Sequence, residues 1–171
     1  MQALAGRLPT GGERETLEQI VTDAGASLRD ARRSLAGLRS QSEGGLSEAL
    51  AQMSRHLTET RGVRLKLNVD GWRQALPPEI EYNLLRIAQE AVSNAVRHSG
   101  TRAVLVTLDR TASRVRLSVE DEGSGFSAEK SASPGHYGIL GMRERAANIG
   151  ADLEVATAPG FGTAVSVTLK A

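Results

Sequence analysis

QEAVSNAVRHS, residues Gln89 to Ser99, places an acid, an amide and an imidazole four residues apart. On a helix Glu90, Asn94 and His98 therefore project from one face, while Ala91, Val92, Ala95 and Val96 form a separate apolar side that can pack on a sheet. Such a polar line suits a metal-bound phosphate. The carboxylate can orient or deprotonate a nucleophile, and the amide oxygen can ligate Mg²⁺, which favours hard oxygen ligands. The imidazole, or its cation, can face phosphate oxygens. Alone, a stripe of this kind reads as a solvated helix face. What lifts it is the sequence downstream.

Three glycine-rich blocks follow in order, each where the hydrophobic pattern breaks: Asp121-Glu-Gly123-Ser-Gly125, Gly138-Ile-Leu-Gly141 and Gly160-Phe-Gly162-Thr163. In the first, glycines at a strand end let the backbone approach a flat ring, and a carboxylate there can accept a hydrogen bond from an amino group on that ring. The second stands where a polar loop becomes a helix, and backbone N–H groups at a helix start can hold phosphate. The third permits a tight turn, with the Thr163 hydroxyl able to bond a base or a water beside it. Each block by itself is also what ordinary turns are made of.

In this order, the four blocks resemble the N box and three G boxes of the ATP-binding domain of sensor histidine kinases. That domain belongs to a wider (GHKL) family shared with gyrase, a heat-shock chaperone and MutL. The similarity runs from about Leu46 to Leu169, and GILGMRERAANIGADLEV looks very like the second glycine region of the nitrate- and desaturase-sensor subclass. The resemblance implies the Bergerat-type fold, an α+β two-layer sandwich with about three helices on a mixed five-stranded sheet. It implies ATP and Mg²⁺ as cofactors, Glu90 as the catalytic residue that polarises an incoming imidazole, and Asn94 as the Mg²⁺ ligand. It places His98, Gly123, Gly125, Gly138, Gly141, Gly162 and Thr163 around the nucleotide, and it makes Asp121 the acceptor for the adenine amino group.

The rest of the chain fits that frame. Its 171 residues suffice for one domain plus an appendage, and hydrophobic residues at 40% with aromatics at 3% call for an aliphatic core. A net charge of +1 gives no reason to expect nucleic acid as a partner, and the lack of cysteine excludes disulfides and thiolate chemistry. No apolar run approaches the roughly 20 residues of a membrane span, so direct membrane contact is not expected. A cytoplasmic domain is, whether or not its parent protein is membrane-anchored.

Ahead of the domain, Gln2 to Leu8 reads as the stump of a helix and Pro9 to Gly12 as a breaker. From Glu13 to Gln41 the apolar positions Leu17, Val21, Ala24, Leu28, Ala31, Leu35 and Leu38 alternate steps of four and three, the seam of a coiled coil or helix bundle. SLRDARRSLAGLR looks like the second dimerisation helix of the same subclass. Residues 1–43 are thus expected to belong to a dimerisation bundle and 44–171 to the ATP-binding domain. Gln41 to Gly45 reads as a hinge. Helices are expected at Leu46–Arg61, from Pro78 to Ser99 and at Ile139–Ile149. Strands are expected at Val63–Val69, around Val104–Leu108 and Val115–Val119, and at Leu153–Ala156 and Ala164–Leu169. Phe126 to Tyr137, polar and rich in small residues, reads as a mobile lid.

The sequence departs from the family in two ways. The aromatic motif many histidine kinases carry between the first two glycine boxes is not recognisable. None of His56, His98 and His136 stands in the context of a phosphoacceptor, so the acceptor helix is expected upstream of residue 1 and this chain is expected to be inactive in autophosphorylation alone. The resemblance implies a homodimer through the dimerisation helices and a response regulator as the phosphoryl recipient. Two rivals remain: an anti-sigma-factor type serine kinase, which shares the first two boxes, and a nucleotide-gated dimerisation module without turnover. The seam helix and second glycine box weigh against the first.

Overall fold

The computed structural model describes residues 45–69, 76–127 and 137–170. The expected seam helix, the stump before it, most of the hinge, the loop at 70–75 and the bulk of the lid, with His136, lie outside the described residues. The described elements are α1 (Gly45–Glu59), β1 (Arg64–Asn68), α2 (Pro78–His98), β2 (Ala103–Arg110), β3 (Arg114–Asp121), α3 (Tyr137–Asn148), β4 (Asp152–Thr157) and β5 (Thr163–Lys170).

The strands form one sheet in the order β1-β2-β3-β5-β4, with β1 parallel to β2 and every other pair antiparallel. The mixed five-stranded sheet under three helices is therefore the expected two-layer sandwich. Alternation decides which face the helices cover. Val104, Val106 and Leu108 on β2, Val115, Leu117 and Val119 on β3, and Val165 and Val167 on β5 are buried under the helices. Of the outward positions between them, Arg114, Arg116 and Glu120 stay exposed, while Ser118 is buried.

Helix α2 is the spine of the helical layer. Pro78 stands at its start, where a missing N–H costs nothing, and the Glu81 carboxylate reaches back to accept the Leu76 N–H at 3.1 Å. Glu79 and Glu81 in the first turn and Arg97 and His98 in the last complement the helix dipole. Leu84, Ile87, Ala88, Ala91, Val92 and Ala95 are buried along it, and Ile80 is only half-buried at the rim. The small residues in its second half, Ala88, Ala91 and Ala95, let the helix lie close over β2 and β3. Leu46 and Leu50 of α1 and Met142 and Ala146 of α3 complete the same aliphatic core.

Element boundaries shift from the sequence reading in ways that touch the site. Helix α1 stops at Glu59 rather than Arg61, because the buried Thr58 closes the turn: its carbonyl accepts the N–H groups of Arg61 and Val63. Helix α3 begins at Tyr137, two residues early, which takes Gly138 inside the first turn. Strands β4 and β5 run on to Thr157 and back to Thr163, since those two residues pair directly.

Candidate functional site

The strand register assembles the first half of the site. Val104 pairs with Asp121, Asp121 with Thr163 and Thr163 with Thr157, so these four side chains form one row across the helix-covered face, at the end where β3 stops. Asp121 and Thr163, read from two separate motifs, are thus next neighbours. Both are half-buried. One Asp121 oxygen, Oδ1, accepts the N–H of Gly123 at 2.8 Å and so folds the loop after β3 back on itself. Among the described residues no group takes the other oxygen.

The loop from Asp121 to Phe126 and the turn from Ala158 to Gly162 press backbone on backbone. Gly125 and Gly162 both have positive φ, +55° and +73°. A Cβ on Gly125 would strike the Ala158 carbonyl oxygen, and one on Gly162 the Asp121 carbonyl oxygen. These two glycines are required by conformation and by space at once. The Gly160 N–H donates to Ser124 O at 2.6 Å and seals the junction.

The second half is carried by α2 and α3. Glu90 and Asn94 are half-buried on successive turns, and the first turn of α3 lies against them. A Cβ on Gly138 would collide with Oε1 of Glu90 and come to 3.3 Å from Nδ2 of Asn94. Gly138 therefore lets the start of α3 rest on the two side chains of the polar stripe. Gly141, one turn further, would meet nothing within 4 Å on gaining a Cβ, so no contact within the protein requires it to be glycine. His98 lies exposed on the last turn of α2, the third member of the stripe and the one most open to solvent. Arg143 is exposed and Arg145 half-buried.

Two residues to which the sequence reading gave no role in the site join the halves. Ser99, the C-cap of α2, accepts the Ser124 N–H through its carbonyl at 2.7 Å. Its hydroxyl donates to Ala95 O at 2.7 Å and accepts from Thr101 N at 3.1 Å, and Gly123 lies directly on it. Thr157 ties the loop after β3 to the turn before β5 through its hydroxyl. From sequence, Ser99 was legible only as a helix stop. Thr157 had one signal, since it continues the alternation of Leu153 and Val155 with a polar side chain on the buried face.

Among the described residues, no group of three or more His, Asp or Glu side chains could hold a metal ion. The Asn94 amide supplies a hard oxygen donor of the kind that Mg²⁺ accepts beside phosphate oxygens and retained waters.

Comparison with known proteins gives a consistent result. The family model described as "Histidine kinase-, DNA gyrase B-, and HSP90-like ATPase" matches residues 79–171. The nitrate/nitrite sensor protein NarX of Escherichia coli is 35% identical over 156 residues, covering 91% of this chain and 26% of that protein. The sensor histidine kinase YhcY of Bacillus subtilis is 34% identical over 126 residues, covering 74% of this chain and 33% of that protein. The chain thus spans between a quarter and a third of the length of these curated relatives. The histidine kinase domain of a blue-light activated histidine kinase from Erythrobacter litoralis has the same fold, with a TM-score of 0.65 at 20% identity. That match covers 73% of this chain and 60% of the other.

Proposed function

The chain belongs to the histidine kinase-, DNA gyrase B- and HSP90-like ATPases, its ATP-binding domain is of the sensor histidine kinase type, and from that premise we propose how its residues serve phosphoryl transfer. Residues 44–171 form the catalytic domain of a kinase that donates to a histidine on a dimerisation helix, for relay to an aspartate of a response regulator. The observation that carries the reading is the convergence of four separated sequence blocks on one end of the sheet. Asp121 and Thr163 are cross-strand neighbours there, and the Glu90–Asn94–Gly138 joint is bolted to the same loop through Ser99.

The residues fit the nucleotide. Asp121 keeps one carboxylate oxygen for an amino group at the inner end of the pocket, and Thr163 flanks it. Asn94 offers the amide oxygen for Mg²⁺, and the first N–H groups of α3, around Gly138, face the phosphate side. Bound Mg-ATP supplies the transferable γ-phosphoryl group together with the counter-charge on its oxygens. Little covalent work then falls to the protein, and position and charge do most of it. Glu90, held beside Gly138, accepts a hydrogen bond from the N–H of the incoming imidazole and sharpens its nucleophilic nitrogen. His98 stands at the mouth of the site, where a cationic imidazole would meet phosphate oxygens.

No described helix is long and apolar enough to cross a membrane. We place the domain in the cytoplasm, with residues 1–43 contributing to a dimerising bundle. The sensor-kinase character of the relatives favours this reading over a serine kinase of the anti-sigma-factor type.

The test is calorimetric and then enzymatic. The chain should bind Mg-ATP, and it should label a supplied dimerisation helix that carries the acceptor histidine. Failure to bind ATP would end the nucleotide reading. Binding without any transfer to that helix would favour a nucleotide-gated module instead.

A further inference from the structure

The Thr157 hydroxyl lies within hydrogen-bonding reach of four groups, and it cannot donate to all of them. Its Oγ lies 3.1 Å from Phe126 N, 3.4 Å from Phe126 O, 3.0 Å from Gly162 O and 3.2 Å from the Thr163 hydroxyl. A hydroxyl has one proton and two lone pairs. The Phe126 N–H can only donate, which uses one lone pair. The shortest acceptor for the single Thr157 proton is the Gly162 carbonyl. What remains for Thr163 is the second lone pair of Thr157, so the Thr163 proton points to Thr157. The Thr163 oxygen then keeps its own lone pairs for other donors, and Asp121 is its cross-strand partner in the row.

We propose that Thr157 is a specificity-positioning residue: it fixes the Thr163 hydroxyl as an acceptor, so that Thr163 and Asp121 select a purine bearing an amino group and reject one bearing a carbonyl. The proposal rests on the nucleotide reading of Asp121 and Thr163 given above. Asp121 is acceptor-only when ionised, and it is the cross-strand partner of Thr163 in the register. Two acceptors side by side match the two N–H bonds of a 6-amino group. They oppose a 6-oxo group, whose lone pairs would meet theirs with no proton between. A threonine hydroxyl free to rotate would defeat this arrangement, because it would turn its proton toward the carbonyl. Thr157 prevents that rotation without touching the base.

The experiment measures dissociation constants for Mg-ATP and Mg-GTP by calorimetry on the whole chain, its Thr157→Val, Thr157→Ala and Thr157→Ser variants, and Asp121→Asn. Valine keeps the shape of threonine and loses the hydroxyl. Thr157→Val and Thr157→Ala should lower the ATP-over-GTP preference by about three- to tenfold, the worth of one neutral hydrogen bond, with much of the change coming from stronger GTP binding. Thr157→Ser should keep the preference of the unsubstituted chain. In a Thr163→Val background, Thr157→Val should no longer alter the ratio. Should one hydroxyl-free variant not fold, the other carries the comparison. Loss of ATP and GTP affinity in equal proportion would reduce Thr157 to a structural tie and overturn the proposal, as would an unchanged ratio. A different failure marks the underlying reading: no ATP binding by the unsubstituted chain, or Asp121→Asn with undiminished ATP affinity.

Discussion

Replacing Asp121 by asparagine separates the structural job of its carboxylate from the one we propose for it. One oxygen accepts the Gly123 N–H at 2.8 Å and shapes the loop, and the proposed function assigns the other to the ligand. Asparagine is nearly the same size and keeps one oxygen. That oxygen must stay on Gly123, since turning the amide over would set N–H against N–H there. The amide NH₂ is thereby forced toward the position we propose for the amino group of adenine. An attractive, charge-assisted contact becomes donor against donor, while the loop keeps its hydrogen bond.

The loss is that of a charge-assisted hydrogen bond in a half-buried site, roughly 1.5–3 kcal/mol. At about 1.4 kcal/mol per decade, this predicts an ATP dissociation constant raised about 10- to 150-fold. Unfolding in denaturant should be nearly unchanged, because the hydrogen bond to Gly123 survives. Asp121→Ala, lacking both oxygens, should lose binding and some stability together. Calorimetry gives the first quantity and urea titration the second. An Asp121→Asn protein with unaltered ATP affinity would remove the side chain from base recognition. A large fall in stability with proportionate loss of binding would mean that the carboxylate serves only the loop.

Asn94→Ala should abolish the Mg²⁺ dependence of nucleotide binding, read by comparing ATP affinity with Mg²⁺ and with EDTA; a persisting dependence would move the ligand elsewhere. Glu90→Gln should leave ATP affinity nearly intact and slow transfer to a supplied acceptor helix by about 10²- to 10⁴-fold, the usual scale of general-base assistance, and lost binding would make Glu90 structural. Gly162→Ala should destabilise the domain by more than the roughly 1–2 kcal/mol of a left-handed L-residue, because its Cβ also meets the Asp121 backbone. Gly141→Ala, with open space around the added methyl, should stabilise the ligand-free domain by about 0.5–1 kcal/mol and still weaken ATP binding if the ligand fills that space.

The fold was legible because its signals are local. Alternation at Val104–Leu108 and Val115–Val119 marked the inner face of the central strands, and the spacing of Leu84, Ile87, Ala91 and Ala95 marked the buried side of α2. The glycine blocks that flank the strands were legible for a similar reason, since tight turns call for glycine. Gly125 and Gly162 show this most plainly: their positive φ and missing Cβ are properties of a turn, visible wherever the turn is visible.

What sequence could not convey was register, and register is where the two halves of the candidate site acquire their relation. Thr157 and Phe126 stand 31 residues apart, and nothing local connects them. Their contact exists because β4 pairs with β5 from Thr157↔Thr163 onward, and β5 pairs with β3 from Asp121↔Thr163. A slip of one residue in either ladder would turn Thr157 or Thr163 to the outer face and leave Asp121 without its neighbour. The apolar residues exclude that slip, since it would also carry Val165 and Val167 out of the buried layer and Val155 away from its edge. The same core that fixes the sheet therefore fixes the row of Asp121, Thr163 and Thr157, and the selectivity proposed for that row would depend on valines outside it.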